Sequence, residues 1–285
     1  MAEMNHKKKS NNSKQVFQIV AVCALVLCAL IAAFMFIKWK SGRNVSDQAA
    51  EIAAEVDIIK DDLMDFDALH EINEDIYAYI KIPGTVVDYP IVQHASDTPG
   101  DWYYLRRGLD GEKLTAGCLF TEPRNAQDFS DPDTVIYGHN MRDGSMFADL
   151  HKYEEESFLE ENPYIYIYTP EKNYIYKIFA AYHYDDRLIL SYYDDFKDMS
   201  QFSEYITEIF DYADRGVVDP NVEVTADDKI LTLSTCSWSD EDARYLVQAV
   251  QLDDEEKQAF LHEQRDGGSA ADEATDSEES SEETE

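Results

Sequence analysis

The sequence predicts a mostly β body, a closed barrel or sandwich, set between an N-terminal membrane anchor and an acidic tail. Three observations carry that prediction. Between Ile76 and Val250 the chain breaks into about eight short apolar or alternating runs bounded by turn residues, too short and too many for a wound α/β sheet. Val16 to Ile37 is apolar apart from Gln18, long enough to cross a bilayer core. From Asp266 to Glu285 the chain is low in complexity and rich in Glu, Ser, Asp and Ala, with too little apolar surface to offset its ordering entropy, so it is expected to be disordered.

The apolar stretch at 16–37 is read as an uncleaved anchor. Lys7, Lys8, Lys9 and Lys14 precede it, and Lys38, Lys40 and Arg43 follow. It exceeds the usual length of a signal-peptide core, and Phe34-Met35-Phe36-Ile37 runs straight into Lys38 with no small-residue cleavage pair. Leu27 before Cys28 and Val22 before Cys23 are unsuited to a lipidated cysteine. The N-terminus is therefore expected inside and the body outside. After the anchor, Ala49, Ile52, Ala53, Val56, Ile59, Leu63 and Phe66 recur at helical spacing behind a possible N-cap at Ser46.

The strands follow in order. Ile76–Ile82 stops at Pro83-Gly84, and Val86–Val92 comes next. Ala116–Phe120 and Thr134–Tyr137 are the third and fourth. Tyr164–Tyr168 and Tyr174–Ala181 alternate around the loop Thr169-Pro170-Glu171-Lys172-Asn173, a hairpin. Ile230–Cys236 and the run opened by Arg244, Tyr245–Val250, complete the set. Helical interruptions are expected at Ser145–Leu150 and at Met199–Tyr212, where Phe202, Tyr205, Ile206, Ile209 and Phe210 share one face. The tyrosines of the hairpin read as strand chemistry, one face packed and one wet, in preference to an aromatic ligand groove.

The formal charge of −35 argues against a nucleic-acid partner, since phosphate binding needs clustered Lys and Arg. No metal site or cofactor is indicated; Asp185-Asp186 and Asp194-Asp195 read as solvated loop acids. Of four cysteines, Cys23 and Cys28 fall in the anchor. Cys118 and Cys236 belong to the body. They could form a disulfide, but Cys118 sits inside an apolar run and Cys236 at a strand end, so two unlike thiols are the expectation.

Cys236 at a strand end, with Arg244 opening the next strand, suits a nucleophile with an oxyanion partner. The competing reading is a buried structural thiol. A cysteine nucleophile also wants a base or a cationic neighbour. Of seven histidines, His6 precedes the anchor, His262 borders the tail, His70 lies in the helical extension, and His94 sits in a loop facing Asp97. His151 and His183 have the look of satisfied surface or core residues. His139 differs: it follows Tyr137-Gly138 at a strand end and enters the turn Asn140-Met141-Arg142-Asp143-Gly144, which would project an imidazole into a cleft.

Tyr137-Gly138-His139-Asn140-Met141, Asp143-Gly144-Ser145-Met146-Phe147, Thr232-Leu233-Ser234-Thr235-Cys236 and Arg244 together resemble the sortase family. Its members are membrane-anchored cysteine transpeptidases of Gram-positive bacteria. Ile80–Thr85, Asp88–Gln93 and Tyr103-Tyr104-Leu105 are also similar, and the likeness runs from about Asn73 to Leu252. The helical extension and the helix in the long connection before the cysteine strand resemble class B, whereas the acidic tail has no counterpart. The resemblance implies a closed eight-stranded sortase-type β-barrel in which His139, Cys236 and Arg244 meet, with Ser234 and Thr235 as substrate-binding neighbours. It divides the chain into a cytoplasmic basic segment (1–15), anchor (16–37), juxtamembrane helical extension (38–72), catalytic domain (73–252) and acidic, largely disordered tail (253–285). The implied partners are secreted proteins bearing a C-terminal sorting signal and, as amine acceptor, peptidoglycan or its lipid-linked precursor. A tethered cysteine protease releasing product to water, or a non-catalytic surface β-domain, are the rival readings. The sorting signal, the acceptor and the number of substrates are not legible.

Overall fold

The computed structural model describes residues 64–262, apart from 97, 99 and 238–242. The anchor and most of the helical extension lie outside the described residues, and no described helix is long and apolar enough to cross a membrane. What is described of the extension is a short helix, α1 (Phe66–Ile72), capped by the Asp65 carboxylate, which accepts from the Ala68 N–H at 3.0 Å.

The strands are β1 (Ile76–Lys81), β2 (Asp88–Val92), β3 (Leu119–Thr121), β4 (Asp133–Tyr137), β5 (Tyr164–Tyr168), β6 (Asn173–Tyr184), β7 (Gly216–Val218), β8 (Ile230–Cys236) and β9 (Arg244–Gln251). Between them lie α2 (Glu156–Glu161), α3 (Ile189–Tyr192) and α4 (Met199–Asp211). The sheet runs β5-β1-β2-β3-β4-β8-β9-β6-β7, and β5 also pairs with β6. That second pairing closes the expected eight strands into a barrel. β7 is a ninth strand the sequence did not announce; it pairs with the far half of β6, on the edge whose near half β5 occupies.

Most strands are antiparallel, but β2–β3 and β4–β8 are parallel. Local chemistry explains the shifted ends. β3 starts at Leu119 because Gly117 has φ 59° and the Cys118 N–H is turned to the Tyr104 carbonyl. The helix expected at Ser145–Leu150 forms later, as a 3₁₀ helix over Ala148–Glu154. Ser145 is held in the preceding turn by Asp143 through both its N–H and its hydroxyl, and Met146 has φ 58°.

Strand alternation splits β4, β8 and β9 into two faces. Ile136, Leu231, Leu233, Tyr245, Val247 and Ala249, none more than 1% exposed, fill one. Each fully buried aliphatic side chain contributes about 1.5–3 kcal/mol. Val135, Ile230 and Leu246 belong to the other, in a single cluster with Phe202, Tyr205, Ile206 and Ile209 of α4. Asp198 caps that helix by accepting from the Ser200 N–H. A buried polar chain runs through this layer: Thr232 donates to Asp133 (3.0 Å), Gln248 Nε2 to Thr232 (2.9 Å) and to Tyr205 (2.8 Å), and Tyr182 to Gln248 Oε1 (2.8 Å).

The ordered body also runs past Leu252. Residues 254–262 are helical, Phe260 is buried against Tyr164 with ring centroids 4.4 Å apart, and Lys257 donates to the Asn173 carbonyl. The remainder of the acidic tail lies outside the described residues.

Candidate active site

Register brings the three candidates together. Cys236 pairs directly with Arg244 across β8–β9, so their side chains leave the same face with Cβ atoms about 4.5–5.5 Å apart. On the other side, Tyr137 pairs with Ser234 in the parallel β4–β8 ladder, and the Gly138 N–H continues it by donating to the Ser234 carbonyl at 3.1 Å. Two residues further along both chains, His139 comes alongside Cys236. His139, Cys236 and Arg244 therefore form one row across three neighbouring strand ends.

Gly138 makes the row possible. A Cβ there would stand 2.4 Å from Leu119 Cδ2 and 2.5 Å from Phe147 Cδ2. Beyond it, His139 O accepts from the Phe147 N–H at 3.0 Å, which closes the 139–147 loop on itself.

The row opens into a cleft of about 200 Å³, lined by His139, Ser234, Cys236 and Arg244 together with Trp102, Leu105 and Arg106. Tyr137 is at its base, its hydroxyl donating to the buried Glu122 carboxylate at 2.9 Å; burial raises the Glu122 pKa. Arg187 also lines the cleft, gripping Asp185 with two 2.8 Å contacts and lying over the Tyr184 and Tyr192 rings. Asp185 is exposed, as expected of a solvated loop acid, and also pairs with Arg187; the less exposed Asp195 pairs with Arg124 at 2.7 Å. His94 pairs with Asp101 at 2.7 Å. Among the described residues no group of three or more His, Cys, Asp or Glu is arranged to hold a metal ion.

His139 Nε2 lies 2.8 Å from the Leu105 carbonyl. A carbonyl only accepts, so Nε2 carries the hydrogen, and in the neutral ring Nδ1 is the acceptor. Burial lowers the pKa of His139, with the Arg106 charge adding to the effect and the Leu105 bond opposing it. The imidazole is thereby kept neutral to lower pH than an ordinary histidine.

Cys118 and Cys236 are both free. The Cys118 thiol is buried, donates to the Arg107 carbonyl at 3.3 Å, and is pushed up to about 12 by burial. Cys236 is half-buried and lines the cleft.

Ser234 shares the face of Cys236 and lines the cleft; Thr235 lines it too, but alternation turns its side chain to the opposite face, where its hydroxyl is fully buried without a hydrogen-bond partner. Thr235 can meet a substrate only through its main chain. The sequence reading missed Asn140 and His151, which both reach the Cys236 carbonyl, at 3.0 and 3.1 Å. Trp102 and Arg106 also line the cleft. An apolar and cationic wall supplied by a 3₁₀ turn, far from the cysteine in sequence, carries no signal of its own.

Residues 80–252 match the family model described as the sortase domain. The chain is 34% identical over 225 residues to sortase B of Listeria monocytogenes, an alignment covering 73% of this chain and 86% of that protein. Among solved structures, sortase B of Bacillus anthracis in complex with AAEK1 superposes with a TM-score of 0.61 at 29% identity, covering 76% of this chain and 99% of that one. A Staphylococcus aureus sortase B–substrate complex gives 0.60 at 25% identity, with 76% and 97% covered.

Proposed function

This chain belongs to the sortase family and is most similar to its class B members, and from that premise we propose that it is a membrane-anchored transpeptidase acting on a C-terminal sorting signal of secreted proteins. It forms a thioester on Cys236 and passes the acyl group to an amine of peptidoglycan or its lipid-linked precursor. The anchor at 16–37 holds it in the cell membrane, N-terminus inside and catalytic body outside. The observation that supports the site most directly is the row of His139, Cys236 and Arg244 on one cleft face.

The chemistry follows from the three groups. The Cys236 thiol gives its proton to His139 and the sulfur attacks the scissile carbonyl carbon, forming a C–S bond. Charge moves to the carbonyl oxygen, where the Arg244 guanidinium, charged at every working pH, stabilises it. The intermediate collapses by breaking the C–N bond, and the departing amine takes the proton from His139. The incoming amine then attacks the thioester, gives a proton to His139 and expels the Cys236 sulfur, which takes that proton back from His139. Atoms balance, with one amide broken and one made. Ser234, on the same face, and the Thr235 main chain orient the substrate beside the nucleophile.

A library of five-residue sorting peptides, assayed with and without an amine acceptor, tests the reading. Transfer product should appear only with the amine, and Cys236→Ala should abolish both it and the thioester. Full activity in Cys236→Ala would sink the mechanism. Cleavage that ignores the amine would make the protein a protease instead.

A further inference from the structure

We propose that Asn140, His151 and Glu154 are positioning residues that clamp the peptide carbonyl of Cys236 and so fix where its sulfur points. The activity readout rests on the transpeptidase reading above, whereas the thiol readout below does not.

The clamp completes a ladder that the backbone abandons. In the parallel β4–β8 pairing, Gly138 N–H donates to Ser234 O, and the next bond would run from residue 140 to Cys236 O. The chain has by then turned away into the 139–147 loop. The Asn140 side chain takes over, donating from Nδ2 to Cys236 O at 3.0 Å.

His151 completes a triangle of polar atoms. Its Nε2 is 3.0 Å from Asn140 Nδ2 and 3.1 Å from Cys236 O. Its Nδ1 is 2.7 Å from Glu154 Oε1, and because an ionised carboxylate only accepts, Nδ1 carries a hydrogen. In the neutral ring Nε2 then accepts from Asn140 and turns that amide toward the carbonyl. In the charged ring Nε2–H joins Asn140 in donating to the carbonyl directly. Either way Cys236 O is held, by Asn140 alone when the ring is neutral and by Asn140 and His151 together when it is charged.

The ring itself is fixed. Its side chain is 8% exposed and stacks on Tyr245 at 4.6 Å. The titratable groups facing it are Glu154 from its own turn, His183 of β6 and Tyr245 of β9. His183 extends the device, with Nε2 3.7 Å from Glu154 and Nδ1 3.3 Å from the Ser237 hydroxyl, so the residue after the cysteine is tethered as well. β9 holds one edge of this strand end through the Ser237 N–H and the Ala243 carbonyl; on the β4 edge, without the clamp, the end would be free to open, or fray, locally. Here the fraying would swing the sulfur out of its row, and a misplacement of about 1 Å at a reacting centre costs about a hundredfold.

The test uses Asn140→Asp, His151→Leu, His151→Gln and Glu154→Gln, with peptide turnover and the rate of Cys236 alkylation by iodoacetamide measured on each, and Tm as the control for folding. Asn140→Asp keeps the shape and loses the donor; His151→Gln keeps an amide that can bond both neighbours. Asn140→Asp and His151→Leu should lower kcat about tenfold or more with KM within about twofold, and slow alkylation severalfold, while His151→Gln restores most of both. Glu154→Gln should fall between. If wild type transfers no peptide yet the alkylation differences hold, the transpeptidase reading fails and the clamp stands. Unchanged kcat and alkylation in Asn140→Asp, or equal losses in His151→Leu and His151→Gln, would overturn the clamp. Should His151→Leu fail to fold, Asn140→Asp against wild type decides.

Discussion

Strand β8 carries polar side chains at both of its ends, on one face, and the fold treats them oppositely. At the beginning, Thr232 is fully buried and bonded into the chain of Asp133, Gln248, Tyr205 and Tyr182. At the end, Ser234 and Cys236 look into a cleft beside His139 and Arg244. The difference is a matter of cover. Helix α4 lies over the first end and supplies Tyr205 as a partner, so polar groups there are satisfied within the protein. At the second end the cover is incomplete: Trp102, Leu105 and Arg106, with Ile189 at the start of α3, line a cleft that stays open beside Cys236. One strand thus serves as a structural tie and a chemical edge, and its two ends should fail in different ways.

The sharpest way to break the contrast is Arg244→Lys. If the planar guanidinium stabilises an oxyanion, kcat/KM should fall about 10²–10³-fold. Thermal melting should stay within a few degrees of wild type, and a mild loss of activity would reduce Arg244 to a generic charge. Thr232→Val probes the other end. It strips a buried partner from both Asp133 and Gln248, which should cost about 1–3 kcal/mol in urea unfolding for each group left unsatisfied. Cys236 should still alkylate at the wild-type rate; a large drop in that rate would mean the ends are coupled.

A further test concerns pH. Burial raises the Asp133 carboxyl from the ordinary 3.8 to about 8. The folded state therefore keeps a proton that the unfolded chain releases, and the stability gained from it is full below about 3.8 and lost as pH rises through about 8. Asp133→Asn removes the titration. Wild type should lose Tm relative to this variant as pH rises from about 5 to about 8.5, as read by scanning calorimetry. Parallel Tm curves for the two proteins would show that Asp133 is charged in the fold.

Much of this was legible from side-chain rhythm. The strands Tyr164–Tyr168 and Ile230–Cys236 declare themselves by period-two alternation, and the face of α4 by Phe202, Tyr205, Ile206 and Ile209. β7 was not, because Gly216-Val217-Val218 is three residues with no buried side chain, formed only because β6 offers an open edge. His139, Cys236 and Arg244 were each marked by standing at a strand end. Asn140 and His151 escaped because what they bind is a main-chain oxygen, 96 and 85 residues away along the chain, and a backbone atom leaves no letter in the sequence. The Thr235 hydroxyl illustrates the converse: adjacency to the nucleophile suggested a contact that the strand's parity forbids.

The direct pairing of Cys236 with Arg244 has a consequence for fidelity of assembly. A slip of one residue between β8 and β9 would set Tyr245 or Ala243 opposite the thiol and turn the guanidinium to the other face of the sheet. Such a molecule would have lost its oxyanion partner without changing a single amino acid. The deeper pairs, Thr232 with Gln248 and Leu233 with Val247, therefore act as a proofreading device: by bonding or packing only in one alignment, they keep the strand ends in the single phase in which the barrel can react.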